Sequence, residues 1–194
     1  MTDMGSFPVF CATTEGHTHR IASEIAATLR QQGFRSEVHC LSTPMPPVDW
    51  QNVRGVIVGA SIHIGRHQPA ARDFIAREVR ELAARPSAFF SVSLAAASKN
   101  PAEVDAARGL ATGFVREAGW QPTRILSVAG KLAYTKYGFV TRQVMRYIAW
   151  REGAPTDTSR DYEFTDWDAV RQFALDLAAD VIAQGRPVRI AAAG

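Results

Sequence analysis

Cysteine is almost missing from this 194-residue chain: Cys11 and Cys40 are the only two, and they form no C-x-x-C pair. That argues against a disulfide framework and a thiolate metal site, and it makes a reducing compartment, by default the cytoplasm, the expectation. Long apolar runs are missing too. The longest candidate, Ala88 to Ala97, is too short to span a bilayer and contains serines. Met1 to Pro8 has no basic stretch leading into an apolar one, so no secretory leader is expected. Neither the Gly-Lys-Ser/Thr of a Walker loop nor a G-x-G-x-x-G fingerprint occurs. His17 and His19 are spaced to diverge on a helix, while His63 and His67 precede the helix start at Pro69, and no carboxylates complete either set. No metal is expected. No internal repeat is visible. The modest basic excess, net charge +3, comes without a helix-turn-helix, zinc module or RNP pattern, so no nucleic-acid partner is expected. The length fits a single domain spanning 1–194, with a substantial core.

What is present begins with Cys11-Ala12-Thr13-Thr14-Glu15-Gly16-His17-Thr18. Phe7 to Cys11 reads as a strand and Arg20 to Gln32 as a helix, with a hydroxyl-rich turn and one glycine between them. Free N–H groups and the positive end of the helix dipole suit a phosphate there, and glycine lets the backbone approach it. Small polar residues also cap ordinary helices, so the rest of the chain must decide. The loop resembles the T-x-T-G-x-T segment with which flavodoxins hold the phosphate of FMN, with Glu15 as an extra residue. Thr13, Thr14, Gly16, His17 and Thr18 are the phosphate candidates; Glu15 is expected to turn outward or to offer only its backbone.

Strand and helix then alternate, which predicts an α/β fold with a parallel sheet. Arg35–Leu41, Val53–Gly59, Ser87–Leu94 and Arg124–Ala129 read as strands two to five. Ala60–His67 reads as a loop, and helices are expected from Pro69 to about Ala84, from about Pro101 to Ala118, and from Thr165-Asp166-Trp167-Asp168 to near Gly185, before a frayed tail over 186–194. Five strands fit the doubly wound order 2-1-3-4-5, whose ligand sits beyond the carboxyl ends of strands one and three. The loops at that edge, Thr13–Thr18, Gly59–Gly65 and Ser91–Lys99, are rich in small and hydroxyl residues.

Further stretches narrow the family: Gly59-Ala60-Ser61-Ile62-His63-Ile64-Gly65, Pro86 to Leu94, Gly119-Trp120-Gln121-Pro122, Ala129-Gly130-Lys131-Leu132, and Thr156-Asp157-Thr158 followed by Tyr162 to Trp167. Together they resemble the flavodoxin-like, menaquinone-dependent protoporphyrinogen IX dehydrogenases of bacterial haem synthesis, from Phe7 to about Ala179. The resemblance implies non-covalent FMN, a porphyrinogen substrate and a respiratory quinone as acceptor. It implies that Ser61, Ile62, His63, Ile64 and Gly65, with Ser93, Leu94, Ala95 and Ala96, flank the isoalloxazine. Where plain flavodoxins stack aromatic rings, Ile62, Ile64 and Leu94 stand here, which leaves a face open to a flat substrate. A flavodoxin-type carrier and an NAD(P)H or quinone oxidoreductase on the same scaffold remain the alternatives, although free carriers are acidic.

That family carries an insertion after strand five, and here Gly130 to Phe164 is too long for an ordinary connection. Gly138–Arg151 reads as a helix within it, and every charge from Lys131 to Arg151 is positive: Lys131, Lys136, Arg142, Arg146 and Arg151. Three readings stand: peripheral docking at the inner face of an anionic membrane, a grip on porphyrinogen propionates, or packing on the domain itself. Lys131, Tyr134, Lys136 and Tyr137 are the substrate candidates, with Lys131 or Lys136 as a propionate partner. No side chain declares itself a catalytic base, and oligomeric state is not legible.

Overall fold

A computed structural model of the chain describes residues 4–13, 16–43, 45–63, 65–136, 138, 143 and 156–184. Thr14, Glu15, Ile64, Tyr137, the arginines at 142, 146 and 151, the helix expected over 138–151 and the tail beyond 184 lie outside the described residues; of Lys136 only the backbone is described.

The sheet is built from β1 (Val9–Ala12), β2 (Val38–Cys40), β3 (Val56–His63), β5 (Ser87–Ser93) and β6 (Arg124–Ala129), with a short β4 (Arg66–His67) appended to β3. Its order is β2-β1-β3-β5-β6, all parallel. This is the expected 2-1-3-4-5 arrangement of the principal strands. Among the described residues four α-helices cover it: α1 (His17–Gln31), α2 (Pro69–Ala83), α3 (Pro101–Glu117) and α4 (Trp167–Ala183).

Strand alternation sends side chains to two separate cores. Val9 and Cys11 of β1 pack with Ile21, Ile25 and Leu29 of α1 and with Val170, Phe173 and Leu177 of α4. Phe10 and Ala12 face the other way, toward Phe74, Ile75 and Leu82 of α2 and Ala111 and Val115 of α3. A sheet covered on both faces needs apolar residues on both, which is why Val56–Ala60 and Ser87–Ser93 read as unbroken buried runs. Gly59 has a packing reason: its β5 neighbour Phe90 lays its ring where a side chain would be, with Cζ 1.9 Å from an added Cβ. Helix ends follow their sequence signals. Pro69 opens α2, Asn100 accepts from Ala102 N–H at α3, and Asp166 accepts from Ala169 N–H at α4.

Several boundaries differ from expectation. The segment read as the loop Ala60–His67 is a hairpin: β3 runs on to His63, and β4 returns antiparallel to it after Gly65. β2 shrinks to three residues, with Arg35 making only a bridge to Ser6. α1 begins at His17, a turn earlier than Arg20. The base of the insertion is closed by a second small sheet, β7 (Lys131–Leu132) against β8 (Tyr162–Glu163). Ladders of two residues carry no readable period, so such pairings are invisible locally.

Candidate cofactor site at the carboxyl edge of the sheet

β1, β3 and β5 are adjacent, and the loops that leave their carboxyl ends therefore share one edge. After Ala12 the chain turns through Thr13 and Gly16 into α1. Gly16 is the residue before the helix, at φ 85° and ψ −10°, a left-handed conformation that favours glycine. Its N–H donates to Thr13 Oγ1 at 3.0 Å, and its carbonyl accepts from Arg20 N–H at 3.1 Å. Among the described residues no side chain caps the helix start, and the first turn holds no acidic residue. An added Cβ at Gly16 would meet nothing within 4 Å, so there is room beside it. Uncapped N–H donors, the positive end of the dipole and open space fit the phosphate of FMN.

His17 Nε2 lies 2.7 Å from Thr165 Oγ1, which itself donates to the Ala129 carbonyl at 2.8 Å. A hydroxyl has one proton to give, so the imidazole Nε2 carries the hydrogen and donates to Thr165. Burial lowers the His17 pKa, opposed by Glu163 and reinforced by Arg20 and Lys131, so the ring is neutral near pH 7. With Nε2 committed to Thr165, the group His17 offers an anion is its backbone N–H. Thr18 is 1% exposed, enclosed by the fold, so its hydroxyl reaches a ligand only if its surroundings shift.

Around this turn the return limb of the insertion is fastened. Arg20 pairs with Glu163 and lies 4.7 Å over the Trp167 ring, while Trp167 Nε1–H donates to the other Glu163 oxygen at 2.7 Å. Trp167 also stands edge-on to His17, with centroids 6.1 Å apart. The Tyr162–Trp167 stretch thus has a mechanical role that its residue types alone did not reveal: it ties β8 and α4 to the start of α1.

Of the other two loops, Ser61 accepts from Gln68 Nε2–H at 3.2 Å, Ile62 is half-buried, and His63 and Gly65 are exposed. Ser93 is buried and accepts twice, at Oγ from Ala96 N–H and at its carbonyl from Gly130 N–H. Leu94 packs against Leu132 and Tyr134, leaving Ala95 exposed and Ala96 half-buried. Cys11, beneath the phosphate turn, is an inert thiol: burial, aided by Cys40, pushes its pKa up to about 12.

The substrate candidates fare differently. Tyr134 is 0% exposed and sits in a satellite core with Leu132, edge-on to Tyr162 at 6.3 Å. It is a packing residue and not a surface contact, because the turn Tyr134–Lys136 folds it inward. Lys131 Nζ lies 2.8 Å from Asp161, whose other oxygen accepts from Thr135 N–H and Oγ. Burial would raise the Asp161 carboxyl, but Lys131 and Thr135 outweigh it and hold it at about 2. The Lys131 charge is therefore paired within the base of the insertion. Among the described residues no three His, Cys, Asp or Glu side chains gather as a metal site, and no helix is long and apolar enough to cross a membrane.

The family model of the flavodoxin domain matches residues 9–159. Among solved structures, oxidised Flavodoxin 1 of Bacillus cereus superposes with a TM-score of 0.53 at 15% identity, covering 92% of this chain and 98% of that one. A WrbA-like flavodoxin of Agrobacterium tumefaciens gives 0.52 at 12% identity, with 92% and 98% covered. At such identities they speak for the fold alone. Curated relatives are nearer in sequence. Protoporphyrinogen IX dehydrogenase [quinone] of Escherichia coli (strain K12) is 32% identical over 173 residues, 88% of this chain and 93% of that protein. The protein of the same name from Leishmania major is 34% identical over 176 residues, 87% of this chain and 72% of that one. With the flavodoxin topology, the flavodoxin-domain match and this identity along most of its length, the chain belongs to the flavodoxin-domain family and, within it, to the quinone-type protoporphyrinogen IX dehydrogenases.

Proposed function

We propose that this chain is an FMN-dependent dehydrogenase that oxidises protoporphyrinogen IX and passes the electrons to a respiratory quinone. The identity of 32–34% to two dehydrogenases of that name carries the reading. When bound, FMN would supply the redox chemistry that links porphyrinogen oxidation to quinone reduction. The chain's residues bind and orient. Thr13 and the backbone N–H of His17 receive the phosphate, joined by Thr14 and, through its backbone, Glu15; Gly16, whose N–H is held by Thr13, shapes the turn so that the backbone can approach, and Thr18 supports it from within. The strand ends at Ser61–Gly65 and Ser93–Ala96 wall the ring, and the aliphatic Ile62, Ile64 and Leu94 leave a face for a flat macrocycle. No protein base is assigned. Lys136 and Tyr137 are the remaining substrate contacts, since Lys131 is paired with Asp161. The whole acts as one flavodoxin-like unit in the cytoplasm, and the positive charges of Lys136, Arg142, Arg146 and Arg151 meet the anionic inner face of the membrane where the quinone resides.

Anaerobic stopped-flow mixing tests this. Protoporphyrinogen IX should bleach the flavin absorbance of the FMN-loaded protein, and menadione should restore it. Flavin that stays oxidised with the porphyrinogen, yet is reduced by NAD(P)H, would replace the reading with another oxidoreductase on this scaffold.

A further inference from the structure

His67 takes no part in the phosphate turn, yet its ring is deeply engaged. Its Nε2 lies 2.8 Å from Ser91 Oγ, its ring tilts over Phe114 at 4.4 Å, and Phe89 meets it edge-on at 5.5 Å. Ser91 is 0% exposed in the body of β5. Burial lowers the His67 pKa to about 4, so near neutrality this contact is made by an uncharged ring. The hairpin that carries His67 has only two residue pairs, Ile62 with His67 and His63 with Arg66. So short a ladder does not hold its own geometry in water. Beyond the ladder, Gln68 Nε2–H on Ser61 closes the hairpin on itself, and His67 on Ser91 ties it to the neighbouring strand β5. Ser91 stands just before Ser93, where β5 gives way to the third loop. The bond from His67 therefore adds a side-chain tie from β4 to β5 beside the backbone pairing of β3 with β5, which ends at Ser61 and Val92.

We infer that His67 is a positioning residue for the flavin ring: through Ser91 and the Phe89–Phe114 shelf it fixes the hairpin of β3 and β4 against β5, setting the spacing between the two loops that wall the isoalloxazine. The inference rests on the proposed FMN binding and assigns a role to a residue outside the cofactor contacts. Without the bond the hairpin samples other arrangements, and the apparent dissociation constant for FMN rises in inverse proportion to the competent fraction. The net value of a typical neutral hydrogen bond corresponds to a rise of about three- to tenfold.

The test uses the full chain and reads FMN directly, by fluorescence-quenching titration and by the visible circular dichroism of the bound flavin. Four variants are compared with the parent: His67→Phe, which keeps ring packing, Ser91→Ala, their combination, and His67→Gln, whose amide can still reach Ser91. Both single variants should weaken FMN by about three- to tenfold and alter the dichroism, the double variant should be no worse than either, and His67→Gln should recover part of the loss. Parent-like affinity and dichroism in a folded His67→Phe or Ser91→Ala protein would overturn the inference, as would additive losses in the double variant. Should His67→Phe fail to fold, Ser91→Ala against His67→Gln makes the same comparison. A parent that binds no FMN would instead sink the proposed function, whereas a parent that binds FMN while its variants are unchanged sinks only this inference.

Discussion

Replacing Gly16 with alanine perturbs the phosphate turn through the backbone alone. The residue sits at φ 85°, and an added Cβ meets nothing within 4 Å, so no clash contributes. Holding an L-residue in the left-handed region costs about 1–2 kcal/mol. For a chain of this size that is a fall in Tm of about 2–8 °C if the turn keeps its shape. Alternatively, the introduced alanine relaxes to negative φ, and the carbonyl that accepts from Arg20 N–H and the N–H groups of the first turn swing away from the ligand. The cost then appears in the cofactor, as a loss of about tenfold or more in FMN affinity at about 1.4 kcal/mol per decade. Thermal unfolding with and without saturating FMN separates the two routes, because tenfold weaker binding removes about 1.4 kcal/mol of ligand stabilisation. Gly16→Asn should recover part of either loss, since asparagine tolerates this conformation better. An alanine variant with parental Tm and parental FMN affinity would refute both the left-handed turn and its place under the phosphate.

The packing of the sheet gives a second prediction. Gly59→Ala drives a Cβ to within 1.9 Å of the Phe90 ring in a core that cannot yield freely, and should cost about 1–3 kcal/mol in urea unfolding. Asp161 is held at about 2, below its ordinary value near 4, so its stabilisation is complete above about pH 4 and lost as pH falls through about 2. Solvent screening limits this to about 1 kcal/mol, and Asp161→Asn should flatten that part of the acid limb of stability. His67 acts in the same sense at higher pH: the unfolded chain gains a proton below about 6.5 that the folded chain resists down to about 4, so stability falls as pH falls across that window. His67→Phe should therefore remove a loss of about 3 kcal/mol between those pH values, read from chemical denaturation at stepped pH. Asp180→Asn breaks the forked pair that Arg124 makes at 2.6 and 3.0 Å between β6 and α4, and should lower stability by about 1 kcal/mol.

The parts legible in the sequence are those whose signal is local. Buried parallel strands such as Val56–Ala60 announce themselves because both faces must be apolar. Pro69 and Asp166 mark helix starts because of what they do to the first turn. The turn from β1 into α1, with Gly16 in a left-handed conformation, announced itself through threonines and a glycine at a strand-to-helix junction. Partnerships between distant residues were not. Nothing near Lys131 in sequence points to Asp161, and nothing near Tyr134 says that Leu132 and Tyr162 will enclose it. The contacts among Arg20, Glu163 and Trp167 likewise have no local signal, since they form only when β7 and β8 pair and bring the return limb to the start of α1. His67 read as an ordinary loop histidine for the same reason: Ser91 belongs to another strand.

The central claim is enzymatic, and turnover tests it most directly. The FMN-reconstituted chain is supplied with protoporphyrinogen IX and menadione under strict anaerobiosis, and porphyrin fluorescence is followed against controls lacking protein, FMN or quinone. Fluorescence that grows only when all three are present, and continues through many turnovers, is the result predicted here. A flat trace from flavin-loaded protein, beside an active reference enzyme, would contradict it.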